Sequence, residues 1–339
     1  MTYSAADTRY DNATFRRSGH SGLKLPQFSL GLWQNFGENR NFETQREIIL
    51  RAFDLGITHF DLANRYGPPF RAAEKVFGQV LGRDLGRYRD EILIASKAGN
   101  PIGASPYLKG GSRKTLLDSL DISLRDLGVD HVDIFYSHSP DLETPLEETI
   151  GALASAVQQG KTHYIGISNY TAERAHDAAV IAARLGTPLL VHQSRYSIFD
   201  RTVELDGHLD TAAQDGTGVV AFSPLAQGLL TDKYLQGDVP ADSRAASSAF
   251  LSADDISDDY ITRAGFLNKI AESRGQSLPQ LALQWVLRRP EVTTALIGAS
   301  STAQLEHNLA ATDFPELTDD DLARIDEYGI HGTVLRRKK

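Results

Sequence analysis

Four residues of the kinds that move protons, Asp61, Tyr66, Lys97 and His138, stand at or just beyond the ends of short apolar runs. A carboxylate, a phenol, an ammonium and an imidazole gathered in one place make a proton-delivery device. A free tyrosine titrates at about 10, too high for a good acid at neutral pH, and a nearby ammonium lowers that value by stabilising the phenolate. Lys97 is the expected ammonium. A lone buried ammonium is costly, so a carboxylate partner is needed to keep it charged, and Asp61 is placed to be that partner. His138 then orients a carbonyl or relays the proton. Acid–base help of this kind contributes about 10^2 to 10^4 in rate. Nothing in the set supplies a hydride, so a reduction would require a redox cofactor.

Each residue alone has a plainer role: a strand-end Asp as a helix cap, a Tyr packed on the Gly67-Pro68-Pro69 turn, a solvated Lys, a satisfied polar His. Their joint occurrence on consecutive strand ends decides for chemistry. Positioning them requires a regular scaffold, and from about residue 27 the chain repeats one pattern of apolar run, Gly/Pro/Asn/Ser junction and helically spaced stretch. Strands are expected at 28–33, 59–62, 92–96, 132–136, 164–167, 189–191, 219–222 and 295–297. Helices are expected at 44–55, 71–81, 112–127, 146–159, 172–185, weakly at 207–215, at 261–289 with a break near Leu278-Pro279, and at 302–310. Strands alternating with helices imply parallel strands joined by crossovers. Eight such units predict an α/β fold, a single-domain (β/α)8 TIM barrel with its reactive side chains at the C-terminal ends of the strands. An open doubly wound sheet is disfavoured: the first strand runs into Gly31-Leu32-Trp33-Gln34-Asn35-Phe36-Gly37 and not into a glycine-rich pyrophosphate turn. Residues 1–14 read as an N-terminal extension, a β-hairpin near residues 15–26 as a cap on the barrel floor, 15–330 as the barrel and 331–339 as a basic tail. The stretch 234–259 is the one long irregular segment, expected at the mouth.

Composition narrows the function. With 44 acidic and 35 basic residues in 339, the net charge is −9, which repels a phosphate backbone or an anionic membrane at long range. No nucleic acid and no membrane partner are expected. The absence of cysteine removes disulfides, thiolate nucleophiles and thiolate metal sites. Without an apolar leader or a long apolar run the chain reads as a cytoplasmic protein.

The motifs Asp61-Leu62-Ala63-Asn64-Arg65-Tyr66-Gly67, Ser96-Lys97-Ala98-Gly99, Val132 to His138, Gly166-Ile167-Ser168-Asn169, Phe222 to Gly228 and Ile297-Gly298-Ala299-Ser300 together resemble the aldo-keto reductase family over nearly the whole chain. Tyr66-Gly67-Pro68-Pro69, Gly110 to Lys114 and Leu225 to Leu230 are similar to the branch that holds bacterial L-glyceraldehyde-3-phosphate reductases and potassium-channel β subunits. The resemblance implies NADP(H)-dependent reduction of small aldehydes, such as L-glyceraldehyde 3-phosphate or methylglyoxal, with Tyr66 as proton donor. It implies that Ser168, Asn169 and Gln193 bond the nicotinamide carboxamide, that Phe222 stacks on its ring, and that Trp33 and Asp61 border it. Ser223, Pro224, Leu225, Ala226, Gln227 and Lys233 correspond to the pyrophosphate loop and Arg244 to an adenosine-side contact. Gly298, Ser300, Gln304, His307 and Asn308 correspond to the 2′-phosphate and adenine site, where a helix N-terminus also favours an anion. The plainer role there is that Ser300 or Ser301 caps the helix. Relatives often carry Arg or Lys where this chain has Ser301 or Gln304, which weakens the preference for NADP over NAD. The branch also implies a homo-oligomer built by barrel packing.

For substrate, Trp33, Arg65, Tyr66 and His138 are the expected contacts. Arg65, Arg71, Lys109, Arg113 and Arg195 are expected to make the mouth basic, which favours short aldehydes bearing a phosphate or carboxylate. No metal is expected. Two other readings compete. A metal-dependent barrel hydrolase would recruit Lys97, His138, His163 and His192, but an early-strand His-x-His pair is missing. A channel-β-like regulatory protein with slow turnover is the other, and relatives of that kind tend to have Asn at the position of His138.

Overall fold

The structure is a computed structural model that describes residues 3–235 and 256–329. Eight parallel strands close into a barrel: β3 (Phe28–Gly31), β4 (His59–Asp61), β5 (Leu93–Ala98), β6 (Val132–Ser137), β7 (Thr162–Ser168), β8 (Leu189–Arg195), β9 (Gly218–Phe222) and β10 (Val292–Ile297), the last pairing back with β3. The first five crossovers carry α1 (Phe42–Asp54), α2 (Ala72–Val80), α3 (Arg113–Leu127), α4 (Leu146–Gln158) and α5 (Ala172–Arg184). After β8 come α6 (Thr202–Leu205) and α7 (His208–Asp215). Then follow α8 (Asp258–Ser273), α9 (Leu278–Leu287), α10 (Thr302–Leu309) and α11 (Asp319–Tyr328). The expected (β/α)8 barrel is therefore the observed fold.

Local chemistry starts these helices on time. Asn41, Ser112 and Thr171 each accept a hydrogen bond from a first-turn backbone N–H, of Thr44, Thr115 and Arg174, and such caps contribute about 1 kcal/mol each. The expected helix at 261–289 is two helices. Gly275 turns the chain at φ 72°, Ser277 and Gln280 form a reciprocal cap, and Pro279 sits in the first turn of α9 where its missing N–H costs nothing. The C-terminal helix α11 has no counterpart among the expected helices, because its acidic first turn, Asp319-Asp320-Asp321, masks a helix whose cap is Thr318.

Period-two alternation sorts the strand side chains. Phe60, Ile94, Phe135, Ile165, Val219 and Ala295 face the helices and join the large core, with Phe60 5.0 Å from Phe77 of α2. Ala95, Ile134, Tyr136, Leu190, Val220 and Leu296 form a separate cluster in the lumen, and Leu25 belongs to it. Leu25 comes from β2 (Lys24–Pro26), which pairs antiparallel with β1 (Phe15–Arg17), so the hairpin plugs the N-terminal end of the barrel as expected. Residues 3–14 lie against α1, where Tyr3 Oη donates to Asp54 Oδ1 at 2.8 Å. Of the irregular segment expected at 234–259, Tyr234 stands in a short 3-10 turn and Asp258 and Asp259 open α8. Residues 236–255, Arg244 among them, and 330–339 lie outside the described residues.

Candidate active site

The lumen turns polar toward the C-terminal ends of the strands. Asp61 is the last residue of β4 and Lys97 the fifth of β5, two positions past lumen-facing Ala95, so both point inward. Lys97 lies inside its strand and not at its end, as the sequence had suggested, because β5 runs on to Ala98. Its Nζ donates to Asp61 Oδ2 at 2.7 Å and to the Leu62 carbonyl at 2.7 Å, and both side chains are withdrawn from solvent. Burial pushes the Lys97 ammonium down from its usual value, and Asp61 opposes that.

Tyr66 lies on the turn after β4, with Lys97 Nζ 4.7 Å from its ring centroid, and its ring meets the His138 imidazole edge-on at 5.9 Å. Burial of its hydroxyl drives the Tyr66 pKa well above 10, and the Asp61 carboxylate adds to the rise. The sequence leads one to expect Lys97 to lower it; in the structure burial of the phenol outweighs that, with the Asp61 carboxylate acting in the same direction as burial. His138 follows β6, its Nδ1 buried and without a hydrogen-bond partner. Burial, reinforced by Lys97 and Arg65, holds it well below 6.5 and hence neutral.

These groups open into a cleft of about 600 Å³ at the mouth. Its walls also carry Trp33, Ser168, Asn169, Gln193, Phe222, Ser223, Pro224, Leu225, Gln227, Lys233, Gly298, Ser300 and Gln304, so most of the residues expected to hold a dinucleotide converge on one surface. Asn169, at φ 64°, donates through Nδ2 to the His138 carbonyl at 2.9 Å and ties the β7 loop to the β6 loop. Gln193 Nε2 donates to Asp61 Oδ1 at 2.9 Å, which adds a structural duty to the expected one. The loop after β9 holds Ser223, Ala226 and Gln227 at φ 53°, 47° and 61°. Non-glycine residues in this region cost about 1–3 kcal/mol each and cluster at ligand clamps. Gln227 Oε1 is buried there with no partner, as is Asn308 Nδ2. The orphaned Gln227 oxygen on a strained loop in the cleft wall fits a polar ligand that completes it.

Other placements depart from expectation. Ala226, His307 and Asn308 do not reach the cleft wall: Ala226 and Asn308 are buried, and His307 Nε2 bonds Ser277 Oγ at 2.8 Å. The Ser300 N–H, expected to face an anion, donates to Gln304 Oε1 at 2.8 Å, and Ser301 is the cap of α10. Of the five expected mouth cations only Arg65 and Arg195 line the cleft. Arg71 turns to Asp126, 3.9 Å away on α3, Arg113 donates to Ser155 at 2.7 Å on the outer surface, and Lys109 is exposed on a loop. Arg40 and Asn100 line it unforeseen. Their signal was position alone, since both sit on loops that follow barrel strands. The ligand set imagined for a hydrolase is not assembled: His163 is near the N-terminal end of β7, and His192 is buried against His208.

The sequence profile of the Aldo/keto reductase family matches residues 27–330. The chain belongs to that family. This aldo/keto reductase is 48% identical over 338 residues to an L-glyceraldehyde 3-phosphate reductase of Escherichia coli, covering 98% of this chain and 97% of the relative. It is 34% identical over 316 residues to a probable voltage-gated potassium channel subunit beta of Oryza sativa subsp. japonica, covering 92% and 95%. A similar subunit of Arabidopsis thaliana matches at 34% over 319 residues, again 92% of this chain and 95% of the relative. As a member of the family it is an oxidoreductase. No helix among the described residues is long and apolar enough to cross a membrane.

Proposed function

We propose that this aldo/keto reductase reduces short aldehydes bearing an anionic group, L-glyceraldehyde 3-phosphate foremost and methylglyoxal as a smaller neutral substrate, with NADP(H) as cofactor and Tyr66 as proton donor. The observation that carries this is the charge of the cleft. Among the described lining residues Arg40, Arg65, Arg195 and Lys233 are cations and Asp61, already paired with Lys97, is the one carboxylate; Arg195 also lies 3.9 Å from Asp200 behind the wall, so Arg40 and Arg65 carry most of the argument. A basic cleft on a chain of net charge −9 concentrates anions where they react.

The dinucleotide, when bound along Ser168, Asn169, Gln193, Phe222 and the loop from Ser223 to Gln227, supplies the hydride. The chain supplies the rest. Neutral His138 keeps a hydrogen bond available to the substrate carbonyl without competing for its proton. The Tyr66 hydroxyl is protonated at neutral pH, as any phenol titrating near 10 is, and burial moves it further in that direction. An alkoxide forming at the carbonyl oxygen is a base comparable with hydroxide, so proton transfer from Tyr66 still runs downhill. Lys97 and Asp61 hold that hydroxyl in a fixed field, which costs no reorganisation during reaction.

Arg65 is the residue for the substrate's anionic tail. Its Nη1 donates to the Pro101 carbonyl at 2.6 Å and its guanidinium lies 5.6 Å from the Phe70 ring centroid, which fixes the group at the rim. The test compares glyceraldehyde 3-phosphate with glyceraldehyde at two salt concentrations. A phosphate advantage in kcat/KM that shrinks with salt and with Arg65→Ala supports the reading; equal efficiency ends it.

A further inference from the structure

At the end of the barrel opposite the cleft, three side chains from two adjacent strands converge. His131 precedes β6, Asp133 is its second residue, and His163 is the second residue of β7, paired in register beside it. One donor atom from each lies within 4.8 Å of the others. We propose that His131, Asp133 and His163 form a binding site for one borderline divalent transition-metal ion, Zn2+ in the first instance, bridging β6 and β7 at the barrel floor.

The geometry distinguishes this from an ordinary ion pair. His163 Nδ1 lies 3.6 Å from Asp133 Oδ1, too far for a hydrogen bond. Zinc–ligand bonds of about 2.0–2.2 Å at tetrahedral angles set neighbouring ligand atoms roughly 3.4 Å apart, close to that separation. The His131 and His163 ring centroids are 4.3 Å apart, so the second imidazole is already beside the first. The carboxylate is oriented from behind. Asp133 Oδ2 accepts from the Ile94 N–H at 2.7 Å and is ion-paired with Arg89 Nη2 3.0 Å away, which engages that oxygen and leaves Oδ1 turned to His163. A ligand held in this way by its outer partners is the usual arrangement around bound metals. His163 is half-exposed, so the ion has an entry path and water can complete the coordination.

Two imidazoles and one carboxylate select against Mg2+ and Ca2+, which take oxygen ligands, and suit Zn2+. The Arg89 guanidinium, ion-paired with Asp133, opposes a dication and lowers the affinity expected of the site. Asp130, adjacent in the chain, adds a carboxylate close enough to act on His131 electrostatically. The site is independent of the reductase chemistry, since it lies at the N-terminal ends of strands whose C-terminal ends form the cleft. From the sequence no metal is expected, and His163 enters only as a ligand of the competing hydrolase reading, with partners other than these.

The experiment is titration of untagged, chelator-treated full-length protein with Zn2+, followed by calorimetry and by thermal unfolding, with Mg2+ in parallel. The chain has no cysteine to compete for zinc. One equivalent bound with micromolar affinity, a rise in Tm, and no response to Mg2+ are expected. His131→Ala and His163→Gln should each weaken binding at least tenfold and abolish the Tm rise, whereas His176→Ala, at an exposed histidine paired with Asp215, should change neither. Absence of saturable binding, or unchanged binding in both the His131 and the His163 variants, would overturn the proposal.

Discussion

Lys97 Nζ sits 2.7 Å from Asp61 Oδ2, and neither side chain reaches solvent. Removing one partner of such a pair strands a charge, whereas removing both does not. Lys97→Met is therefore expected to lose about 3–5 kcal/mol of stability, and Asp61→Asn combined with Lys97→Met to recover much of that loss while remaining inactive. Urea denaturation of the two variants checks it, and additive losses would contradict the pairing argument.

Tyr66→Phe deletes one hydroxyl at a position where the ring still packs near Trp33, 6.3 Å away. Cofactor affinity should stay within about twofold of wild type while kcat falls by about 10^2 to 10^4. A near-normal kcat would remove Tyr66 from the mechanism.

The raised Tyr66 pKa fixes the sign of an alkaline effect. The donor must be protonated, it is protonated below its pKa, and that pKa lies well above 10. Aldehyde reduction under saturating cofactor should show no loss of kcat attributable to the donor between pH 7 and about 10. A break near pH 8 or 9 that vanishes in Tyr66→Phe would show that bound cofactor lowers the phenol.

Gln304 Oε1 accepts from both the backbone N–H and the hydroxyl of Ser300 at the start of α10. Gln304→Arg frees those donors and adds a cation. The ratio of kcat/KM for NADPH over NADH should rise about tenfold, equivalent to about 1.4 kcal/mol. An unchanged ratio would mean that the 2′-phosphate binds elsewhere.

His59 is fully buried, its Nδ1 2.8 Å from Ser29 Oγ, and burial holds its pKa down to about 4. A folded value below the unfolded 6.5 means that stability is complete above pH 6.5 and drains away as pH falls toward 4. From pH 6.5 to 5.5, before most carboxylates titrate, His59 alone should remove about 1 kcal/mol. Buried His138 and His192 act in the same direction. Urea midpoints that stay flat over that interval would refute the neutral, buried state.

The sequence by itself determined the barrel and the gathering of Asp61, Tyr66, Lys97 and His138 toward its mouth, because both are written locally. A strand announces itself as an apolar run between turn residues, and a strand end announces what it carries into the next loop, as with Asp61, Tyr66 and His138. Strand lengths were less legible: β5 continues through Lys97 and β8 through Gln193, where polar residues interrupt the apolar run only because the barrel mouth is polar. What each charge does was decided by partners distant in the chain. Asp61 takes the Lys97 charge across 36 residues, and burial together with the Asp61 carboxylate leaves Tyr66 high; Arg113 is drawn to Ser155 across 42 and away from the cleft. Asp133 and His163 meet only through the register of β6 and β7. Periodicity is a property of neighbours along the chain, whereas a hydrogen bond or an ion pair depends on distance in space, and only closure of the barrel sets that distance.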